Sequence, residues 1–187
     1  MTGKTISKAL FLDRDGVVNE EIGYLSRSED VRFVPGIFSL CHTARRLGYQ
    51  IVVVTNQSGI ARGLYTVADF EELMTWMRSE FAKEEVELDA VYFCPYHPEH
   101  GLGEYRREHQ DRKPGPGMLL RAGLELGVDL RDSVMVGDRC SDVGAANAAG
   151  LREAFLLTGT EMEGCPGAYI EVQALAEVET WLNQNAG

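Results

Sequence analysis

Short, unbroken apolar runs alternate along this chain with segments of helical period, and this alternation most limits the possible folds. Residues 51–54 read Ile-Val-Val-Val, and such a continuous run is typical of a strand covered on both faces. From Ile37 to Leu47 apolar side chains recur every three or four residues, and Gly48 follows, which indicates an amphipathic helix that ends there. Strands alternating with helices form a parallel sheet with helices on both faces. We therefore predict an α/β, Rossmann-like three-layer sandwich with a mainly parallel sheet.

The same patterns divide the rest of the chain into predicted elements. Strands are predicted at residues 9–12, 51–54, 91–93, 134–136 and 154–157. Helices are predicted at residues 37–47, after an N-cap at Thr66, at 119–126 and at about 172–183. Residues 94–116 have no element period and contain several glycines and prolines, which is typical of a long functional loop. Since neither a repeat nor a linker occurs, we expect one domain over residues 1–187.

The composition argues against several classes of partner. Lysine and arginine total 18 against 29 aspartate and glutamate residues, a formal net charge of −11, and no strong basic stripe offsets the repulsion from duplex nucleic acid. The longest apolar runs are far shorter than the roughly 20 residues that span a bilayer. Residues 1–8 lack the apolar core and the small-residue cleavage site that are typical of a secretory signal. We therefore expect a cytoplasmic monomer, without nucleic-acid or membrane partners, whose four cysteines are free thiols.

Polar residues follow several of the predicted strands. Asp13 and Asp15 come after the first strand, Thr55 after the second and Asp138 after the fourth, so all should meet at the carboxyl edge of the sheet. By themselves, two carboxylates beside Gly16 are equally compatible with a simple turn. The functional interpretation is a site in which carboxylates hold Mg²⁺ and Lys113 neutralises a phosphoryl group.

The residues of these strand ends resemble the four motifs of the haloacid dehalogenase superfamily, whose phosphatases use an aspartate nucleophile. The matching segments are Phe-Leu-Asp-Arg-Asp-Gly-Val at 11–17, Val-Thr-Asn at 54–56, Lys-Pro at 113–114 and Gly-Asp-Arg-Cys-Ser-Asp at 137–142. Each motif alone is weak evidence for this superfamily, but four motifs in the expected order are specific for it. The resemblance extends over residues 9–157.

This resemblance implies a role for each matching residue. Asp13 would be the nucleophile that forms an aspartyl-phosphate, and Asp15 would act as general acid and then general base. Thr55 and Lys113 would stabilise the phosphoryl oxygens. Mg²⁺ would be held by Asp13, by Asp15 through its backbone carbonyl, and by Asp138. Asp142 would support these ligands without binding the metal directly.

The spacing between the motifs leaves no room for a cap domain, so the chain resembles capless members, in which loops shape the substrate site. Segments 19–24, 53–63, 94–98 and 112–118 further resemble the heptose bisphosphate phosphatase family. This implies hydrolysis of the C7 phosphate of a small phosphorylated sugar, D-glycero-D-manno-heptose 1,7-bisphosphate, in the synthesis of nucleotide-activated heptose. The substrate-binding residues would be Glu21, Ile22, Gly23, Tyr24, Asn56, Gln57, Ser58, Arg112 and Arg139.

Two other functions would also use these motifs. Histidinol-phosphate phosphatases are similar in the same segments and perform the same chemistry on an imidazole substrate. A phosphate-binding module without turnover is the other alternative. Intact Asp13, Asp15 and Lys113 argue against it, because binding alone needs no acid–base carboxylate.

The loop after the third strand departs from the pattern of many relatives, which ligate a structural zinc through Cys-x-His and Cys-x-Cys. Cys94 stands at the first position, but Tyr96 replaces the histidine, and His109 and Asp111 replace the paired cysteines. A closed zinc site needs four cysteine or histidine ligands, so we expect Mg²⁺ as the cofactor and no structural zinc. A shifted zinc site would have to use Cys94, His97, His100 and His109.

Overall fold

The computed structural model describes residues 7–158 and 164–185. Its strands are β1 (Lys8–Leu12), β2 (Tyr49–Asn56), β3 (Ala90–Cys94), β4 (Val134–Gly137), β5 (Glu153–Leu157) and β6 (Ile170–Val172). Its helices are α1 (Ile37–Arg46), α2 (Ser58–Ala61), α3 (Val67–Lys83), α4 (Gly117–Leu126), α5 (Cys140–Ala149) and α6 (Leu175–Gln184). The strands form one sheet in the order β3-β2-β1-β4-β5-β6, and each pair is parallel.

The central strand β1 carries the core of both helical layers. Its residue Leu10 pairs with Ile51 in β2 and with Val134 in β4. Because side chains alternate along a strand, Leu10 and Leu12 pack on one face with α1, α3 and α6, whereas Ala9 and Phe11 pack on the other with α4 and α5. The predicted three-layer α/β architecture is confirmed.

The first two connections between strands consist of loops and a few helices. β1 and β2 are joined through a 3-10 turn and α1, and β2 and β3 through α2 and α3. Across the described ranges neither connection holds a separate folded unit, in agreement with the expected capless fold. No helix in this part of the chain combines the length and the apolarity needed to cross a bilayer.

Most predicted elements are present, with three additions. Thr66 caps α3 as predicted: its Oγ1 accepts a hydrogen bond from the backbone N–H of Asp69 at 3.1 Å, which satisfies a free donor of the first turn. Segment 94–116 is irregular apart from the 3-10 turn Gly103–Tyr105. Helices α2 and α5 and strand β6 were not expected, and β6 takes the first residue of the helix predicted at 172–183.

One prediction about the cysteines is wrong. Cys140 and Cys165 form a disulfide with their Cα atoms 5.1 Å apart. The chain before β6 runs along α5, where the Asn147 side chain makes two hydrogen bonds to the backbone of Ala168, and this brings the two cysteines together although 25 residues separate them. Cys41 and Cys94 are buried and free, as expected.

Candidate active site

The carboxyl ends of β1, β2 and β4 converge around a cavity of about 570 Å³. Its lining includes, of the expected site residues, Asp13, Asp15, Glu21, Gly23, Tyr24, Thr55, Asn56, Gln57, Ser58, Arg112, Lys113 and Arg139. It also includes residues to which no role was assigned, namely Gly59, Arg62, Tyr65, His97 and Ser141; all but Tyr65 lie within the matching segments. Two expected residues are not part of the lining: Ile22, which is 51% exposed, and Asp138, which lies beside Asp13. The structure thus brings together nearly all of the expected side chains at the predicted edge of the sheet.

Lys113 is the buried cation at the base of this cavity. Its Nζ lies 2.9 Å from Asp13 Oδ1 and 2.6 Å from Asp142 Oδ1, and it donates a hydrogen bond to the carbonyl of Val54 at 2.9 Å. Burial would lower the pKa of Lys113, but the two carboxylates outweigh burial and raise the pKa above its ordinary value. Lys113 therefore stays protonated, with a fixed positive charge beside the Asp13 carboxylate.

Three carboxylates crowd beside Lys113. Oxygens of Asp13, Asp138 and Asp142 all lie within 4.8 Å of one another. Burial raises the pKa of Asp13 to about 7, aided by the other two carboxylates and opposed by Lys113. Burial followed by Asp142 raises the pKa of Asp138 to about 6. Negative charge at this point is therefore only partly neutralised by the protein itself.

The cluster fits Mg²⁺. Asp138 Oδ1 is buried without a hydrogen-bond partner, and carboxylate oxygens are the ligands that this hard cation prefers. Gly16 makes room for the group: its φ is +85°, and a Cβ there would lie 2.2 Å from Asp138 Oδ2. Asp142 Oδ2 accepts a hydrogen bond from the backbone N–H of Arg139 at 3.0 Å, which is consistent with the supporting role expected for Asp142.

Asp15 is not part of this cluster and is held by Arg14, Asn19 and Gln57, of which only Gln57 had an expected role. The Arg14 guanidinium donates from Nε to Asp15 Oδ1 at 3.1 Å and from Nη2 to both carboxylate oxygens at 2.8 Å. Asn19 Nδ2 and Gln57 Nε2 donate to the same carboxylate at 3.1 and 3.2 Å. Arg14 is only 1% exposed. In the sequence, the only indication that Arg14 could hold Asp15 was its position between the two aspartates of the first motif.

The side chain of Gln57 links this network to Thr55. Gln57 Nε2 donates to Thr55 Oγ1 at 2.8 Å, and Gln57 Oε1 accepts a hydrogen bond from the Tyr65 hydroxyl at 2.5 Å. Since the Thr55 hydroxyl oxygen accepts this bond, its proton is free to donate to an oxygen in the cavity.

The Lys113 segment is fixed by a reciprocal pair of hydrogen bonds. Asn56 Nδ2 donates to the Lys113 carbonyl, and Asn56 Oδ1 accepts from the Lys113 N–H, both at 3.0 Å. Next to it, Arg112 Nη1 donates to Ser58 Oγ at 3.3 Å and to the Tyr96 carbonyl at 3.1 Å. Asn56 therefore holds Lys113 in place, a role beyond its expected contact with substrate.

An ion pair closes one side of the cavity mouth. Arg139 Nη2 lies 2.7 Å from Glu21 Oε2, and Glu21 Oε1 accepts a hydrogen bond from the backbone N–H of Gly23 at 2.7 Å. Tyr24 beyond it is half exposed. The two segments expected to contact substrate are thus joined to each other.

The loop expected to lack zinc is held by stacking and local hydrogen bonds. Tyr96 stacks on His109 with ring centroids 4.6 Å apart, and His97 Nδ1 accepts hydrogen bonds from the backbone N–H groups of Glu99 and His100. Within the described ranges, the group of potential ligand side chains close enough together to hold one metal ion is Asp13, Asp138 and Asp142. The zinc-free state of the loop stays a prediction.

Comparison with known proteins assigns the family. Residues 110–171 match the HAD-hydrolase-like family model. The D-glycero-alpha-D-manno-heptose-1,7-bisphosphate 7-phosphatase of Burkholderia mallei is 49% identical over 151 residues, which cover 81% of this chain and 80% of the relative. This chain belongs to the heptose bisphosphate phosphatase family. The predicted resemblance is confirmed.

Further members of the heptose bisphosphate phosphatase family agree with this assignment. The D-glycero-beta-D-manno-heptose-1,7-bisphosphate 7-phosphatase of Vibrio cholerae is 48% identical over 149 residues, 80% of each chain. The crystal structure of D,D-heptose 1,7-bisphosphate phosphatase from B. bronchiseptica, complexed with magnesium and phosphate, matches with a TM-score of 0.80 and 31% identity, covering 95% of this chain and 98% of that one. The family fold therefore extends over nearly all of the chain.

Proposed function

We propose that this protein is a Mg²⁺-dependent phosphatase that hydrolyses the C7 phosphate of D-glycero-D-manno-heptose 1,7-bisphosphate through an aspartyl-phosphate intermediate. The observation that carries the proposal is the buried pair of Asp13 and Lys113 beside the carboxylate cluster, in a chain whose relatives bear the name of this activity. The product, a heptose 1-phosphate, would then serve the synthesis of nucleotide-activated heptose.

In the first half of the reaction an Asp13 carboxylate oxygen attacks phosphorus and forms an acyl phosphate, while the bond between phosphorus and the C7 oxygen breaks. The backbone N–H of Arg14 at 2.7 Å and Lys113 Nζ at 2.9 Å hold the Asp13 carboxylate in one orientation toward the cavity. A fixed nucleophile avoids much of the entropy cost of bringing the reacting atoms together. Lys113 and the free proton of Thr55 stabilise the phosphoryl oxygens as charge spreads over them.

Asp15 carries the proton in both halves. It protonates the departing C7 oxygen, and it then removes a proton from the water that attacks phosphorus and releases Asp13. The fork of Arg14 together with Asn19 and Gln57 fixes the direction of the Asp15 carboxylate. These three side chains are therefore positioning residues for the acid–base step.

Mg²⁺ would be held by Asp13, Asp138 and the backbone carbonyl of Asp15, with Asp142 supporting Asp138 and Lys113. When bound, the cation offsets the repulsion between a phosphate and the buried carboxylates. We also infer that the enzyme works as a cytoplasmic monomer of one domain, on a small sugar substrate and without nucleic acid or membrane.

The decisive experiment compares kcat/KM on both anomers of the heptose bisphosphate, on histidinol phosphate and on p-nitrophenyl phosphate. We expect the bisphosphate to be preferred by about 100-fold or more, since a second phosphate adds at least two charge-assisted hydrogen bonds of ~1.5 kcal/mol each. Asp13→Asn protein, purified in the same way, measures contaminating phosphatase. A preference for histidinol phosphate, or near-wild-type rates in Asp13→Asn, would overturn the proposal.

A further inference from the structure

The charges that line the cavity are not evenly paired. Each lining carboxylate has a cation within 3 Å: Asp13 has Lys113 at 2.9 Å, Asp15 has Arg14 at 2.8 Å, and Glu21 has Arg139 at 2.7 Å. Arg62 and Arg112 also line the cavity, and neither forms an ion pair with a carboxylate within residues 7–158 and 164–185. Two arginines therefore face the cavity without an ion-pair partner among the described residues.

Arg62 and Arg112 both form a hydrogen bond with Ser58. The backbone N–H of Arg62 donates to the carbonyl of Ser58 at 3.0 Å, and Ser58 Oγ accepts a hydrogen bond from Arg112 Nη1 at 3.3 Å. The Arg62 guanidinium lies 6.0 Å from the centre of the Tyr24 ring, so it reaches across the mouth of the cavity. Its Nε is buried and has no hydrogen-bond partner, which is costly unless a ligand satisfies it.

The two guanidinium groups also affect each other. Burial lowers the pKa of Arg112, and Arg62 lowers it further, against the opposing effect of Cys94 and Glu108. Burial lowers the pKa of His97, with additional lowering from Arg112, His100 and Arg62. Positive charge is therefore crowded at this end of the cavity, and an anion bound there would relieve the repulsion.

We propose that Arg62 and Arg112 together bind the phosphate that the enzyme does not hydrolyse, which makes Arg62 a specificity-determining residue. The inference rests on the proposed function, because it places the scissile phosphate at Asp13 and Lys113, away from this end. Two guanidinium groups match a phosphate dianion in charge and in planar donor geometry. Arg139, already paired with Glu21, instead holds the loop that carries Tyr24.

The test is kcat/KM of Arg62→Ala and Arg62→Lys on heptose 1,7-bisphosphate and on heptose 7-phosphate, which lacks only the remote phosphate. We expect Arg62→Ala to lose ~10- to 150-fold on the bisphosphate, mainly through KM, because this phosphate is held equally before and during the reaction. The loss on the 7-phosphate should be less than about threefold, and Arg62→Lys should recover part of the bisphosphate rate. Arg131→Ala is the matched control, since Arg131 is 85% exposed and precedes β4 at the opposite edge of the sheet.

Equal losses on the two substrates, or no loss on either, would overturn the role of Arg62 while leaving the proposed function intact. If the wild-type enzyme itself does not prefer the heptose bisphosphate, the proposed substrate is wrong. The same variants are then compared on a hexose 1,6-bisphosphate and its 6-phosphate, because the inference concerns the second phosphate and not the sugar. A wild-type preference there that Arg62→Ala leaves unchanged contradicts the inference.

Discussion

Replacing Asp13 with asparagine should abolish turnover and at the same time stabilise the metal-free protein at neutral pH. Two buried carboxylates, Asp13 and Asp142, and the partly buried Asp138 face one buried lysine in this cluster, so the ionised site carries excess negative charge in a region that water screens poorly. Asparagine keeps the shape of the side chain and removes one of these charges. Such a trade-off between activity and stability is common, because residues that serve a reaction often destabilise the folded protein.

The magnitude follows from the pKa of Asp13, which burial raises from its ordinary value of 3.8 to about 7. One pKa unit corresponds to about 1.4 kcal/mol, so the ionised carboxylate costs at most about 4 kcal/mol of folding free energy above pH 7. The asparagine amide must also find partners for its own protons, and we expect about 2 kcal/mol to remain. For a chain of this size that amounts to a rise of about 4–8 °C in Tm.

The sign depends on pH. Below about pH 4 the carboxyl group is protonated in both the folded and the unfolded chain, so the substitution should have no effect. The advantage of Asp13→Asn should grow as the pH rises from about 4 to 8, because the unfolded chain ionises first and the folded protein only near pH 7. Saturating Mg²⁺ should reverse the order, since the wild-type site gains about 2.7 kcal/mol at a cation concentration 100-fold above Kd and the variant gains less.

The assay is the Tm of both proteins in EDTA, measured by circular dichroism between pH 4 and 8, and again with Mg²⁺. Asp30→Asn is the matched control, because Asp30 is exposed and its Tm difference should not change with pH. If the Tm of Asp13→Asn in EDTA does not rise above that of the wild type by pH 8, the cluster does not carry the excess charge described.

Three further predictions follow from the same site. Gly16→Ala should raise the Mg²⁺ concentration for half-maximal turnover at least about tenfold, because the new Cβ would lie 2.2 Å from Asp138 Oδ2; Gly48→Ala, at a positive φ in open space, should leave it unchanged. Lys113→Met should lose about 3–5 kcal/mol in urea unfolding, since it leaves two buried carboxylates without their cation, and a loss below about 1 kcal/mol would contradict the buried ion pair. Metal analysis of the purified protein should find far less than one zinc per chain, whereas one tightly held zinc would show that the loop after β3 is a metal site.

The strands and the residues that gather at the candidate site could be predicted from sequence because both depend on local pattern. Continuous apolar runs marked five of the strands, and polar residues at the carboxyl ends of β1, β2 and β4 had to meet at one edge of a parallel sheet. Helix α5 was missed because alanine and glycine dominate it and such residues give no apolar stripe. Strand β6 has three residues, which is too short for a period to be recognised.

Side-chain pairing could not be predicted, because it depends on tertiary contacts. Arg14 was visible within the first motif, but nothing local shows that its guanidinium turns onto Asp15. The disulfide joins Cys140 and Cys165 through the packing of residues 164–169 along α5. Arg112 and Arg139 had the same expected role, and only the contact of Arg139 with Glu21 separates them.

The charge of the whole chain therefore says little about the ligand that its site can bind. A protein of net charge −11 would repel a sugar with two phosphates if all of its charges acted equally. Salt screens exposed charges beyond about 8 Å at physiological ionic strength, so the acidic surface contributes little inside the cavity. Inside the cavity the local pairing of charges matters more. Lys113, Arg14 and Arg139 pair with lining carboxylates, so Arg62 and Arg112 are left to attract one phosphate. The carboxylate cluster with its Mg²⁺ receives the other, and a bisphosphate is the substrate that satisfies both ends at once.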